Sequence, residues 1–211
     1  MVLLMAAAIA PASAQEYSNR IFSIGGGYGF PLGNTADFVK PSGHFVVGGG
    51  GNFNESFGLV GEFMLHKLSI KQGVITQLNA ASATAVQTAL TLNAVLRRQL
   101  SDRVGIYGLG GGGWYWRSAK VTLRGTGLVP GTACSSFFIL WGVNCVNGLV
   151  PANQQPTALR SSAAGANAGL GFTVRLGQGN MKFFTEVRYH HGFHDTVATQ
   201  LIPVTFGMRW D

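Results

Sequence analysis

Large apolar side chains recur at every second position in eight separate stretches of this chain. Successive side chains of a strand point to opposite faces, so such alternation predicts strands with one apolar face. The last stretch, Gln200–Asp211, shows it most cleanly. Ile202, Val204, Phe206, Met208 and Trp210 share one parity, and Pro203, Thr205, Gly207 and Arg209 share the other. The first, Arg20–Phe30, sets Phe22, Ile24, Tyr28 and Phe30 together. Gly43–Asn54 gathers Phe45, Val47 and Phe53 around a Gly-rich middle. Only Asn54-Glu55-Ser56 separates it from Phe57–Leu68, a hairpin-length link. In that stretch Phe57, Leu59, Phe63 and Leu65 oppose Val60, Glu62, Met64 and His66. Thr88–Arg98 sets Leu90, Leu92 and Leu96 against Thr91, Asn93 and Arg97. Arg103–Arg117 has two competing sets, Val104/Ile106/Trp114/Trp116 and Tyr107/Leu109/Tyr115, and the tryptophan set is expected to face outward. Arg160–Leu176 and Met181–His191 complete the eight.

The connections carry the second signal. Pro31 to Ser42 reads as a loop, punctuated by Pro, Gly and Asn. Ser69 to Gln87 is longer, and its Ala-rich continuation, Asn79–Leu90, predicts a helical turn or two. Ser118 to Leu159 is the longest break and holds both cysteines. Short links (Asn54–Ser56, Gln99–Asp102, Gly177–Asn180) alternate with these, and Gly192 to Thr199 is intermediate. An even number of strands, with short turns and both chain ends at one rim, is the pattern of a transmembrane barrel. A soluble sandwich or lipocalin-like barrel also forms antiparallel hairpins, but does not collect its short turns at one end.

Composition agrees with a membrane wall. Charged residues make up 11% of the chain, against roughly 25% in ordinary soluble domains. Mean hydropathy is +0.23, yet no mature stretch supplies the about 20 consecutive apolar residues of a spanning helix. Glu62, Arg175, Glu186 and Arg188 all fall on the parity opposite the large apolar residues. A cation on the lipid face near the midplane costs roughly 2–4 kcal/mol, so these four are expected inside the lumen. Their neighbours on that face are mostly Gly, Ala, Thr and Asn, which suits a narrow interior.

The net charge of +7 comes without a dense Lys/Arg run or a basic helix, so no nucleic-acid partner is expected. Val2 to Ile9 is an apolar run, and Ala12-Ser13-Ala14 fits a small-residue cleavage site. Residues 1–14 therefore read as a secretory signal lacking the usual basic start, and 15–211 as the barrel domain. In an oxidising compartment Cys134 and Cys145 suggest one disulfide, with two free thiols as the alternative.

The chain resembles the small outer-membrane β-barrel family, like the OmpA transmembrane domain and OmpX-like proteins. The features that carry the likeness are the signal, the opening Ile24-Gly25-Gly26-Gly27-Tyr28-Gly29-Phe30, the Gly-rich fifth strand and the closing Ile202–Trp210 segment. The resemblance implies an eight-stranded up-and-down barrel in the outer membrane of a Gram-negative-type bacterium. It also implies contact with outer-membrane lipid and lipopolysaccharide, and insertion by the barrel assembly machinery. That machinery reads a closing segment ending on an aromatic residue, whereas here Asp211 follows Trp210. A cell-wall-binding domain is not expected.

Candidate chemistry is sparse. Gly108-x-Gly110-x-x-Gly113 matches a dinucleotide fingerprint in letters, but Trp114-Tyr115-Trp116 continues a strand where the fingerprint needs a helix. His190, His191, His194 and Asp195 are metal-ligand types, yet His190 and His191 lie on opposite strand faces, and no metal is expected. Some barrels of the resembled class modify lipid A with a His–Ser–acid set. Here His66 with Ser69, or His194 with Asp195, supplies only fragments of one. Lys67, Lys71, Arg117, Lys120, Arg124 and Arg160 are expected at outer strand ends or loops, placed for lipopolysaccharide phosphates. The expectation is a monomeric, non-catalytic barrel without cofactor, in a structural or surface-interaction role. The alternatives are a narrow, porin-like channel gated by Glu62, Arg175, Glu186 and Arg188, and a lipid A-modifying enzyme.

Overall fold

Alternating apolar and small residues leave a chain no buried helix face, and its backbone groups must then be paired between strands. A computed structural model describes residues 19–77, 80–123, 127–135, 144–152, 157–194 and 197–211, with backbone alone for 123 and for those between 127 and 158. The strands are β1 (Arg20–Pro31), β2 (Val39–Lys40), β3 (Ser42–Asn52), β4 (Phe57–Ile70), β5 (Ala80–Gln99), β6 (Val104–Leu123), β7 (Gly127–Ser135), β8 (Asn144–Ala152), β9 (Thr157–Arg175), β10 (Met181–Gly192) and β11 (Thr199–Trp210). Two short helices, α1 (Gly33–Phe38) and α2 (Gln72–Gln77), lie in the connections.

Eight of these strands close into an antiparallel barrel. β1, β3, β4, β5, β6, β9, β10 and β11 each pair with their neighbours in chain order, and β4 pairs with β5. The seam is β1 against β11, with Phe22 opposite Trp210 and Phe30 opposite Ile202. Phe22 and Trp210 also stack, their ring centroids 5.5 Å apart.

The expected faces hold. Phe22, Ile24, Tyr28, Phe63, Leu65, Leu90, Leu92, Trp114, Trp116, Phe206 and Trp210 are all exposed on the outer wall. Leu170 reaches 72% exposure, a value that only a lipid solvent makes favourable for a leucine in the middle of a sheet. On β6 the tryptophans face outward while Tyr107, Leu109 and Tyr115 are buried.

The connections needed more correction than the strands. The Ala-rich segment is no helix. β5 starts at Ala80, laddered to β6 with a register shift between Ala80 and Ser82, and to β4 as well from Ala85 on. A one- or two-turn helix would be marginal on its own, whereas Ser82, Thr84, Val86 and Thr88 share one parity and fit a strand, paired with β6 throughout and with β4 as well at Val86 and Thr88. The helix of this connection is α2, just before it. The long break is also shorter than expected. β6 extends to Leu123, β9 begins at Thr157, and β7 and β8 form a separate two-stranded sheet between them. Pro31–Ser42 holds α1 and β2 rather than only loop. The signal region falls outside the described residues.

Candidate functional site

The parity of the strands delivers the polar residues to the lumen in tiers. β4 sends Glu62, Met64, His66 and Leu68 inward, and β10 sends Phe184, Glu186, Arg188 and His190. At the rim of the short turns, Lys182 Nζ lies 2.8 Å and Arg97 Nη1 3.8 Å from the Asp211 carboxylate. One level in, Arg209 stacks over Tyr107 at 4.4 Å and Phe184 at 5.1 Å.

The next tier holds the buried charges. Arg188 donates to Glu62 through Nη1 at 2.5 Å and Nη2 at 3.1 Å, and to Glu186 through Nε at 2.7 Å. Asn93 Nδ2 donates to Glu62 at 2.5 Å, and the Tyr107 hydroxyl donates to Glu186 at 2.9 Å. Each carboxylate thus has the cation and one neutral donor. Arg175, expected in this group, ends β9 at the short-turn rim opposite Lys182 and makes no ion pair with either glutamate. Three of the four expected lumen charges therefore meet, and the fourth lies too near the strand end to reach them.

Above the ion pairs stands a histidine tier. His44 hydrogen-bonds Thr205 at 2.9 Å, His66 the Ser42 carbonyl at 3.1 Å, and His190 Nδ1 the Tyr115 hydroxyl at 2.9 Å. Ser69 lies on the opposite parity from His66, so that pair does not assemble. His190 is inside and His191 outside, the latter against Tyr189 and Phe193. Asp195 is outside the described residues.

Arg117 is a correction. It was expected at the outer rim, but its side chain is buried to 2% exposure inside the lumen. Its Nη1 donates to the Val197 carbonyl at 2.9 Å and Thr199 Oγ1 at 2.8 Å. β6 continues past it to Leu123, so position 117 is not a strand end, and its odd parity turns it inward. Of the remaining basic set, Lys67, Lys120 and Arg160 are exposed, Lys71 is half-buried and Arg124 is outside the described residues. The side chains of Cys134 and Cys145 are not described, but the two residues face one another in the β7–β8 register.

An apolar cap, which sequence reasoning missed, closes the outer end. Val39, Leu68, Ile70, Val74, Ala80, Ala85, Ala119, Val121 and Leu201 bury one another there. Thr35 pins α1 into it, donating to the Ala198 carbonyl at 3.2 Å and accepting from the Gln200 amide at 3.0 Å. Val39 and Val74 belong to short elements in connections, where alternation gives no signal.

His194, in the outer connection, hydrogen-bonds Ser161 at 3.1 Å. Burial, and then the Arg117 guanidinium, pull its pKa down to about 4. It is therefore neutral in the fold, while an exposed histidine titrates near 6.5. Above pH 6.5 both states are neutral. As pH falls from 6.5 to 4 only the opened form takes up the proton, so stability is lost in that window. The protection factors of the Phe193 and His194 amides, which correct exchange rates for their intrinsic pH dependence, should fall from pH 7 to pH 4 in the wild type, with a flatter profile in His194→Gln. Equal profiles would remove His194 as the cause.

A closed antiparallel wall with an apolar outer face, a polar filled lumen and short turns at one rim defines a transmembrane barrel of the outer membrane. The chain matches the outer membrane protein beta-barrel domain family over residues 1–209 and belongs to it. No curated protein matches. Among solved structures, the chain is similar to Ail, the attachment invasion locus protein of Yersinia pestis. Identity is 16%, coverage 92% of this chain and 100% of that one, and TM-score 0.50. It is similar to the Neisserial surface protein A at 11% identity, with coverage 92% and 97% and TM-score 0.55. A major outer membrane protein from Thermus thermophilus gives 12%, 90% and 98%, and 0.55. At these identities the likeness is one of fold.

Proposed function

We propose that this protein is a non-catalytic outer-membrane barrel with a structural or surface-interaction role, carried by its outer end. The observation behind this reading is the filled lumen. The Glu62–Arg188–Glu186 tier and the apolar cap stand in series across it, and a narrow barrel packed with side chains offers no diffusion path. The inserted β7–β8 hairpin supplies outer surface beyond what spanning requires. β5 and β6, at 20 residues each, are about twice the 9–11 residues that cross a bilayer.

In this reading the exposed Lys67, Lys120 and Arg160, with Lys71, meet lipopolysaccharide phosphates at the outer rim. The closing strand β11 is presented to the barrel assembly machinery, and the working form is a monomer. Purified protein in a planar bilayer should give no discrete conductance steps. Steps in the wild type would overturn the reading in favour of a narrow channel. Changed lipid A masses on overexpression would overturn it in favour of an enzyme.

The register opposition of Cys134 and Cys145 supports a cross-strand disulfide holding the hairpin, since directly opposed strand residues lie within the Cα separation a disulfide spans. Protein isolated from outer membranes should take up no alkylating reagent until reduced, and then two equivalents. Two equivalents without reduction would exclude the bond.

A further inference from the structure

One part of the lipid-facing wall is hollow. On adjacent strands the outward residues Ala94, Gly110 and Ala168 fall in one register row, and Leu96, Gly108 and Leu170 in the next. With Phe57 and Val187 at the flanks they line a shallow, open groove of about 740 Å³. Gly108 and Gly110 lie in the first third of β6 from the short-turn rim, and Trp114 and Trp116 lie above them. Counted from that rim over the 9–11 residues that cross a bilayer, the groove runs from the periplasmic side to about the midplane.

The strand pairing does not demand glycine at its floor. A Cβ at Gly110 would meet only the Asn167 carbonyl at 3.8 Å. At Gly108 it would meet Leu170 Cδ2 at 3.4 Å and the Gly169 carbonyl at 3.9 Å. These are ordinary contacts. Elsewhere the same wall carries Leu, Phe and Trp, so small residues here leave room for something that is not protein.

Basic residues lie beyond the lower end of the groove, one register row below Leu96 and Gly108 and in the turn from β5 to β6. Arg98 has the outward parity of Leu96, pairs with Ile106 and is exposed, and Arg103 is exposed in the same turn. Asp102 lies between them, leaving one net positive charge. Neither arginine is in an ion pair among the described residues.

We infer that the groove and these arginines form a site for one anionic glycerophospholipid of the periplasmic leaflet. The phosphate sits on Arg98 and Arg103, where guanidinium donors suit its oxygens, and one acyl chain lies along Gly108 and Gly110. A second copy of the chain fits worse, because a two-fold contact through this wall would bring the two arginine pairs towards each other.

The test is native mass spectrometry of detergent-folded protein incubated with equimolar phosphatidylglycerol and phosphatidylethanolamine. Wild type should retain one phosphatidylglycerol. Gly108→Leu/Gly110→Leu, which fills the groove, and Arg98→Gln/Arg103→Gln, which removes the cations, should each retain at least tenfold less. Folding is checked by the mobility change on boiling, and Gly110→Val replaces the double leucine variant if that fails to fold. Undiminished retention in either variant overturns the site, as does equal retention of both lipids by the wild type. A dimer of the Gly110→Cys variant cross-linked through that residue overturns it in favour of a second copy. None of these outcomes depends on whether the barrel conducts.

Discussion

Replacing Arg188 with methionine should destabilise the barrel by about 3–5 kcal/mol, the cost of removing one partner from a buried ion pair. Arg188 is the cation shared by Glu62 and Glu186, which are 6% and 4% exposed. Without it two carboxylates remain in the lumen with only Asn93 and Tyr107 donating to them. The loss is one of compensation more than of attraction. The triple variant Glu62→Gln/Glu186→Gln/Arg188→Met should therefore recover most of it, since no unpaired charge is left. Urea unfolding in lipid vesicles, followed by tryptophan fluorescence, measures both. A single-variant loss under about 1 kcal/mol, or a triple variant no better than the single, would show that the tier does not hold the barrel together.

Gly113→Val should prevent closure outright, while Gly110→Val, three positions away, should fold. A Cβ at Gly113 would lie 2.0 Å from the Leu90 carbonyl oxygen and 2.7 Å from Thr91 Cα. Those atoms are backbone of β5, paired with β6 at this level, and cannot move aside without opening the ladder. The penalty should exceed the about 1–3 kcal/mol of ordinary overpacking. Refolding into detergent with gel mobility before and after boiling separates the outcomes. A heat-shifted band for Gly113→Val at the wild-type yield would show that β5 and β6 can separate locally at no great cost.

The contrast between these glycines marks where sequence reasoning stops. In the letters, Gly108 to Gly113 is one Gly-rich run that lets a curved strand bend. Only the partner strand makes Gly113 obligatory and leaves Gly110 open to the bilayer. Arg117 teaches the same lesson. Its parity already matched the inward Tyr107 and Tyr115, but the expected end of the strand fell at 117, and a strand end reads as a rim. Arg175 failed the other way, with inward parity but a level too close to the turn to reach Glu62.

Alternation, the asymmetry of the links and the scarcity of charge together determined that the chain is a membrane barrel, and alternation by itself determined which residues face lipid and that Glu62, Glu186, Arg188 and Arg209 turn inward. Side-chain direction in a strand is local and has a period of two, so one sequence suffices. The level of each side chain along the barrel, and its partner across the lumen, depend on register and closure, which join residues more than a hundred positions apart. The Glu62–Arg188 pair, the stacking of Arg209 on Tyr107 and Phe184, and the cap built from Val39, Leu68, Val74 and Leu201 were therefore decided only by the tertiary structure.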